Sequence, residues 1–303
     1  MRLSKFVIKH AARWLVLAGA MLLGLVQATE IPVTHAAKGL LWEIKSPTNT
    51  VYLFGSIHLA KADFYPLPKV VEAAYRQAKV LAVEADVTDA VASKKALPLM
   101  SYVAPDSLQQ HLSPATWQSL QSVAGPATGQ FQHFKPAAVA IGLTVGAFAQ
   151  QGYDPAYGID LHFIERAKTD QKKLFELESL AFQAGVLGGL SDAEGDALLK
   201  QTLDAFTQGE ALRETGAMIA AWKSGDAAAL AKIFQESANK DAGSQKLMKL
   251  LLDDRNVGMT QKISQLLADG SKAFVVVGAG HLVGANSIID VLQKQGVPVR
   301  RIK

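Results

Sequence analysis

The sequence predicts an α/β protein: a mixed sheet built from the N- and C-terminal segments, with a large helical middle, about 89–270, as an insertion or cap. Three observations predict it. Apolar runs rich in Val, Phe and Tyr, which suit a stiff buried strand, cluster up to Val83 and again from Ala273. Between them apolar residues recur mostly at three- and four-residue spacing, the helical period. Two strand-like runs end in the same Gly-x-x-His pattern, at Gly55 to His58 and at Gly278 to His281, 223 positions apart. Each glycine permits a sharp backbone exit from its strand.

The elements follow in order. Leu40 to Lys45 and Thr50 to Phe54 read as strands, and Ser46-Pro47-Thr48-Asn49 joins them as a hairpin turn. Pro66 and Pro68 open a helix over Lys69 to Ala78, which feeds the strand Val80 to Val83, so a strand-helix-strand crossover with a parallel pair is expected. Helices are expected at Val91 to Met100, Pro114 to Val123, Pro136 to Gln150, Gly158 to Lys168 and Asp192 to Thr207, interrupted by one strand, Lys173 to Leu177. The Pro136 to Gln150 run is apolar nearly all round, which predicts a central buried helix too short to span a bilayer. Further helices are expected over Gly209 to Lys223, Ala227 to Ser237, Ser244 to Leu252 and Arg255 to Asp269. A strand at Ala273 to Val277, a helix at Ala285 to Gln295 and a strand at Val297 to Ile302 close the chain. No repeat of solenoid period is present.

Residues 1–28 read as a secretory signal peptide: Arg2, Lys5, Lys9 and Arg13, then the apolar run Trp14 to Val26, then Val26-Gln27-Ala28 for cleavage. The remaining 29–303 read as a single domain, expected in the periplasm or secreted and with no stable membrane span. Cleavage removes four of the 31 Lys and Arg and none of the 27 acids, so the mature chain is balanced in charge despite a sequence pI of about 9.1. Such a chain has no basic footprint for nucleic acid and no polybasic patch for membranes. Cysteine is absent, which excludes a disulfide framework and a thiol nucleophile, and leaves His and carboxylates as metal ligands.

The candidate site residues lie just past strands, where open α/β sheets place their ligand crevice. His58, Glu84, Glu178 and His281 all have this position. Glu84 and Asp86 share a face only if the strand persists, and otherwise one is a turn cap. Asp160, near a helix start, is a ligand candidate or a dipole-favoured cap. Arg255-Asn256 could bind a carboxylate or substrate oxygen, or form structural pairs.

These residues resemble the TraB/PrgY/GumN family, which includes the TIKI proteases. The resemblance lies in Leu-Trp-Glu-Ile, Tyr-Leu-Phe-Gly-Ser-Ile-His, Val-Glu-Ala-Asp, Gly-Ile-Asp-x-x-Phe, Leu-Glu-Ser, Asp-Arg-Asn and Val-Val-Val-Gly-Ala-Gly-His-Leu, in that order from about Gly39 to Lys303. It implies an α/β fold similar to erythromycin esterase and the ChaN haem-binding proteins, an active site at the two Gly-x-x-His motifs, and metal-dependent proteolysis in TIKI members. The residue chemistry is compatible, since two imidazoles with one or two carboxylates suit Mn, Co or Zn, and an open position lets bound water attack.

The expected function is an exported metal-assisted peptidase or amide hydrolase on a peptide or small-molecule substrate. His58, His281 and Glu84 are its catalytic or metal-ligating groups, with Asp160 and Glu178 as further ligands. Two alternatives stand beside it: a protein that sequesters a peptide, haem or metal without turnover, and a metal-free hydrolase in which His58 and Glu84 activate water. No His-Glu-x-x-His or Gly-x-Ser-x-Gly motif is present.

Overall fold

The computed structural model describes residues 39–302, so the expected signal peptide lies outside the described residues. In chain order the elements are β1 (Leu40–Lys45), β2 (Thr50–Ser56), α1 (Lys69–Gln77), β3 (Val80–Val83), α2 (Ala90–Ala96), α3 (Pro114–Ala124) and α4 (Pro136–Gln150). Next come α5 (Ile159–Thr169), β4 (Lys173–Glu176), α6 (Leu180–Gly188), α7 (Asp192–Thr207), α8 (Glu210–Ser224), α9 (Ala227–Ala238) and α10 (Ala242–Met248). The chain ends with α11 (Asp254–Ala268), β5 (Ala273–Gly278), α12 (Ile288–Lys294) and β6 (Val299–Ile302). The fold is α/β, as the periodicities require. Helix α6 is an addition to the expected elements; its glycines weaken the helical signal, but Ser179 starts it by accepting from Phe182 N. Helix α12 begins three residues later than Ala285, because Gly284 and Asn286 take positive φ and Ser287 caps it through Asp290 N.

The six strands form one mixed sheet in the order β4-β3-β5-β2-β1-β6. Strands β4, β3, β5 and β2 run parallel, while β1 pairs antiparallel with both β2 and β6. The expected direct pairing of β2 with β3 is replaced by β5, which lies between them and bonds to both. Its run Ala273 to Val277 is buried throughout, and a strand covered on both faces belongs in the middle of a parallel sheet.

The chain divides into two compact units. One, residues 87–153 and 179–215, is helical; Leu120, Phe131, Val139, Leu143, Leu199 and Leu203 form its core, and α4 and α7 pack so closely that Gly195 faces the Pro136 ring. The other, residues 39–86, 154–178 and 216–302, contains the whole sheet. Its core is aromatic: the Phe54 ring meets Phe163 at 6.0 Å, Phe274 at 6.0 Å and Trp222 at 6.2 Å. The buried indole of Trp222 donates to Gly55 O at 2.7 Å, fastening β2 at the first Gly-x-x-His motif. Among the described residues no helix is long and apolar enough to cross a membrane.

The hairpin turn is anchored by a buried amide. Asn49 Nδ2 donates to Leu266 O at 3.1 Å, Leu267 O at 3.0 Å and Ser271 O at 3.1 Å, closing the carbonyl end of α11. Asn49→Ala strands the buried Leu267 carbonyl away from water, while Leu266 O keeps the Ser271 amide, at a cost of about 1–3 kcal/mol. Chemical denaturation should show that loss, and a change within about 0.5 kcal/mol, the range of ordinary surface substitutions, would contradict the anchor.

Candidate active site

The site lies at the carboxyl ends of four neighbouring parallel strands, within the unit that holds the sheet. His58 follows β2, Glu84 follows β3, Glu178 follows β4 and His281 follows β5. The two motifs are neighbours because Gly55 pairs with Val277 and Ser56 with Gly278. A Cβ on Gly55 would come within 3.1 Å of the Ala279 backbone, so the first motif glycine lets the second approach.

His58 is backed by a carboxylate. Its Nδ1 lies 2.8 Å from Asp160 Oδ2, and Asp160 Oδ1 accepts from Ser56 Oγ at 2.6 Å. Asp160 occupies the first turn of α5, where the helix dipole favours a negative charge. The helix start is tied to the first motif by Ile159 N donating to Ile57 O at 3.0 Å. The Asp160 charge pushes His58 up to about 9, against the opposing effect of desolvation. The ring is nonetheless 68% exposed, so it reaches solvent while carrying its proton.

His281 is backed by an amide instead. It is 3% exposed, and its Nδ1 lies 2.7 Å from Asn256 Oδ1. Asn256 Nδ2 donates to Asn286 O at 2.9 Å, which orients the amide oxygen towards the ring. The acceptor on that side makes Nδ1 the protonated nitrogen and leaves a lone pair on Nε2. Burial pushes His281 below the ordinary histidine value, with Glu84 pulling the other way.

Arg255 holds the two glutamates. Its Nη2 donates to Glu84 Oε2 and to Glu178 Oε2, each at 2.6 Å, and its Nε reaches Glu178 Oε1 at 3.0 Å. Its Nη1 takes Leu251 O at 3.0 Å, a carbonyl within the π-helical turn Lys249–Asp253 that precedes α11. Glu84 Oε1 accepts from Gly278 N at 2.7 Å. Burial raises the Glu84 carboxyl, but His281, His58, Arg255 and the Gly278 amide outweigh it and hold it at about 2. With His281 neutral, Arg255 and that amide still keep Glu84 ionised. Asp86 does not join this group: its backbone N–H goes to Glu176 Oε1 at 2.8 Å and its carboxylate to Lys168 at 3.0 Å.

The groups converge beside Gly278. A Cβ there would sit 3.2 Å from Glu84 Oε1, 3.6 Å from His281 Cδ2 and 3.7 Å from His58 Nε2. The model of the TraB/PrgY/gumN family matches residues 40–301 and so spans every one of these positions. The chain belongs to the TraB/PrgY/gumN family. It is 28% identical over 250 residues to the uncharacterized protein YbaP of Escherichia coli (strain K12), covering 80% of this chain and 87% of that one. It is 22% identical over 279 residues to an uncharacterized protein of Treponema pallidum (strain Nichols), covering 87% and 82%. No solved structure matches it.

A divalent ion needs several free electron donors around one point. Glu178 is taken up by Arg255, and Asp160 by His58 and Ser56. His281 Nε2 and Glu84 Oε1, 3.7 Å apart, are the pair of electron donors that face each other. Among the described residues no group of three or more His, Asp or Glu could hold a metal. The described residues thus offer an ion two facing donors, of which Glu84 Oε1 already accepts from Gly278 N at 2.7 Å, while His58 Nε2 carries a proton. Sequence reasoning included every residue of this centre except Asn286, whose carbonyl sets the Asn256 amide, and Leu251, whose carbonyl supports Arg255. The Gly284-Ala285-Asn286 turn composition was the available signal for the first.

Two outcomes follow. Asn256→Asp puts a carboxylate against Nδ1, so His281 should titrate higher than in the wild type when its ring-proton NMR shifts are followed with pH; an unmoved titration refutes the backing role. For His58 the folded value, about 9, exceeds the ordinary 6.5. The stability it gains from Asp160 is therefore fully present below about pH 6.5 and lost as pH rises through about 9. The stability difference between wild type and Asp160→Asn should shrink across that window, and a flat difference contradicts the pairing.

Proposed function

We propose that this chain is a hydrolase of peptide or amide bonds in which His58 and His281 divide the proton work. The observation that carries the reading is that two imidazoles aimed at one place have environments pushing their protonation in opposite directions. Such a split assigns an acid and a base. His281 Nε2 and Glu84 Oε1 are both acceptors at 3.7 Å, a fork for the two O–H bonds of one water molecule. A water held this way keeps its lone pairs free to attack a carbonyl carbon. As the C–O bond forms, its proton passes to His281 Nε2; as the C–N bond breaks, the His58 imidazolium gives its Nε2 proton to the leaving amine. Glu84, held ionised, favours the imidazolium that forms on His281. Ser56 donates to Asp160, so it serves His58 and is not aligned as a nucleophile.

The second reading adds a divalent ion, Mn, Co or Zn, at His281 Nε2 and Glu84 Oε1, and it is favoured by the same facing pair of donors. When bound, such an ion polarises the carbonyl and lowers the pKa of water. The charged run, apolar run and small-residue site within residues 1–28 support export to the periplasm or beyond.

The test is hydrolysis of a peptide library by the purified full chain, with and without chelator, beside His58→Ala and His281→Ala. Each variant should lose about a hundred- to ten-thousand-fold in kcat/KM while keeping the wild-type fold. Loss of activity on chelation, restored by manganese or cobalt, selects the ion-assisted form. Stoichiometric peptide capture with no product, unchanged in both variants, overturns the hydrolase reading in favour of a binding protein.

A further inference from the structure

The sheet carries opposite charges at its two ends. Its carboxyl-end pole has the glutamates of the candidate active site. Its other pole carries a row of lysines: Lys173 opens β4, Lys79 and Lys272 directly precede β3 and β5, and Lys45 ends β1. The row is held in register by Lys79 N donating to Lys272 O at 2.7 Å and Lys173 N donating to Lys79 O at 3.3 Å. Lys79 and Lys272 stand in register on neighbouring strands about 4.8 Å apart, a spacing that disfavours two cations, while Lys45 lies one strand further on, beyond Thr50. All four are exposed, and Lys79, Lys173 and Lys272 have no ion-pair partner among the described residues.

At this pole lies a cavity of about 590 Å³, a volume within the usual range for small-molecule sites. Lys45 and Lys272 line it, with the hydroxyls of Thr48, Thr50 and Tyr52 and the amide of Gln77, and its lining contains no Asp or Glu. Lys45 pairs with Glu43 Oε1 at 3.0 Å, an oxygen it shares with Arg300 Nε at 2.7 Å, so Lys272 is the lining cation with no ion-pair partner among the described residues. The helix ends that meet here are also satisfied: Asn49 closes α11, and Lys172 Nζ donates to Ala78 O at the end of α1. The cations at the cavity are therefore not consumed by capping carbonyls.

We propose that this cavity is a second binding site, separate from the candidate active site, for a phosphate ester. Lys45 and Lys272 supply the positive charge that phosphate requires, and the Thr48 and Thr50 hydroxyls supply uncharged donors for its remaining oxygens, while the Tyr52 hydroxyl donates to Gln77 Oε1 at 3.4 Å. The ester is either a free sugar- or glycerol-type phosphate or the headgroup of an anionic lipid, and both present the same chemistry to the two lysines.

The test is calorimetric titration of the full chain with glycerol 3-phosphate, beside cosedimentation with phosphatidylglycerol vesicles, for wild type, Lys272→Glu, Lys45→Ala and His58→Ala. Saturable binding is expected in at least one arm. It should weaken about tenfold or more in Lys272→Glu, since a charged hydrogen bond is removed and a like charge introduced, and should persist in His58→Ala. Binding in the first arm alone assigns a soluble ester, and binding to vesicles alone assigns a headgroup. No binding in either arm, the same affinity in Lys272→Glu and Lys45→Ala, or loss of binding in His58→Ala overturns the proposal.

Discussion

The guanidinium of Arg255 between Glu84 and Glu178 is the constraint on which the rest of the site depends. All three side chains are at most 13% exposed, so their charges interact with little screening. A buried carboxylate deprived of its partner costs about 3–5 kcal/mol, which makes the cluster all-or-none. It joins the exits of β3 and β4 to the first turn of α11, and Asn256 is the next residue of that turn. Placing Arg255 therefore also places the amide that faces His281. The π-helical turn before α11 contributes the carbonyl that steadies the arginine from behind.

One motif, used twice, produces two different histidines. After Gly55 the chain leaves β2 into an open segment, and His58 meets a carboxylate at the positive end of a helix. After Gly278 it winds into a 3-10 turn, Ala279–Leu282, and His281 is covered and meets a neutral amide. The partner and the degree of burial decide which imidazole carries charge; the sequence pattern around each is the same. This asymmetry is the basis of the acid and base roles proposed for the two rings.

Much of this was legible in the residues. The β1-β2 hairpin, β3, α4 and α7 follow from local pattern, and their ends agree with the expected ones because turn residues and caps mark them, except that β2 runs on from Phe54 to Ser56. The placement of β5 between β2 and β3 was not legible, since strand order depends on tertiary packing and the crossover signal reads the same either way. Glu84 and Asp86 could not be separated from spacing alone. The structure divides them because β3 stops at Val83, leaving Glu84 to face Arg255 and Asp86 to face Lys168. Arg255 and Asn256 were read as either substrate-binding or structurally paired, and their partners here are Glu84, Glu178, His281 and Asn286, which no linear pattern can specify.

The position of β5 has a consequence for how the molecule is made. Its central strand comes from the last tenth of the sequence, so a nascent chain that has emerged only to residue 270 has β3 and β2 with a gap between them and no partner for either facing edge. Local hairpin and helix contacts can form early, but the sheet closes only when synthesis is nearly complete, and such long-range pairing is slow. Until then both open edges are exposed to other strands. The core therefore cannot lock before its last parallel strand has been made.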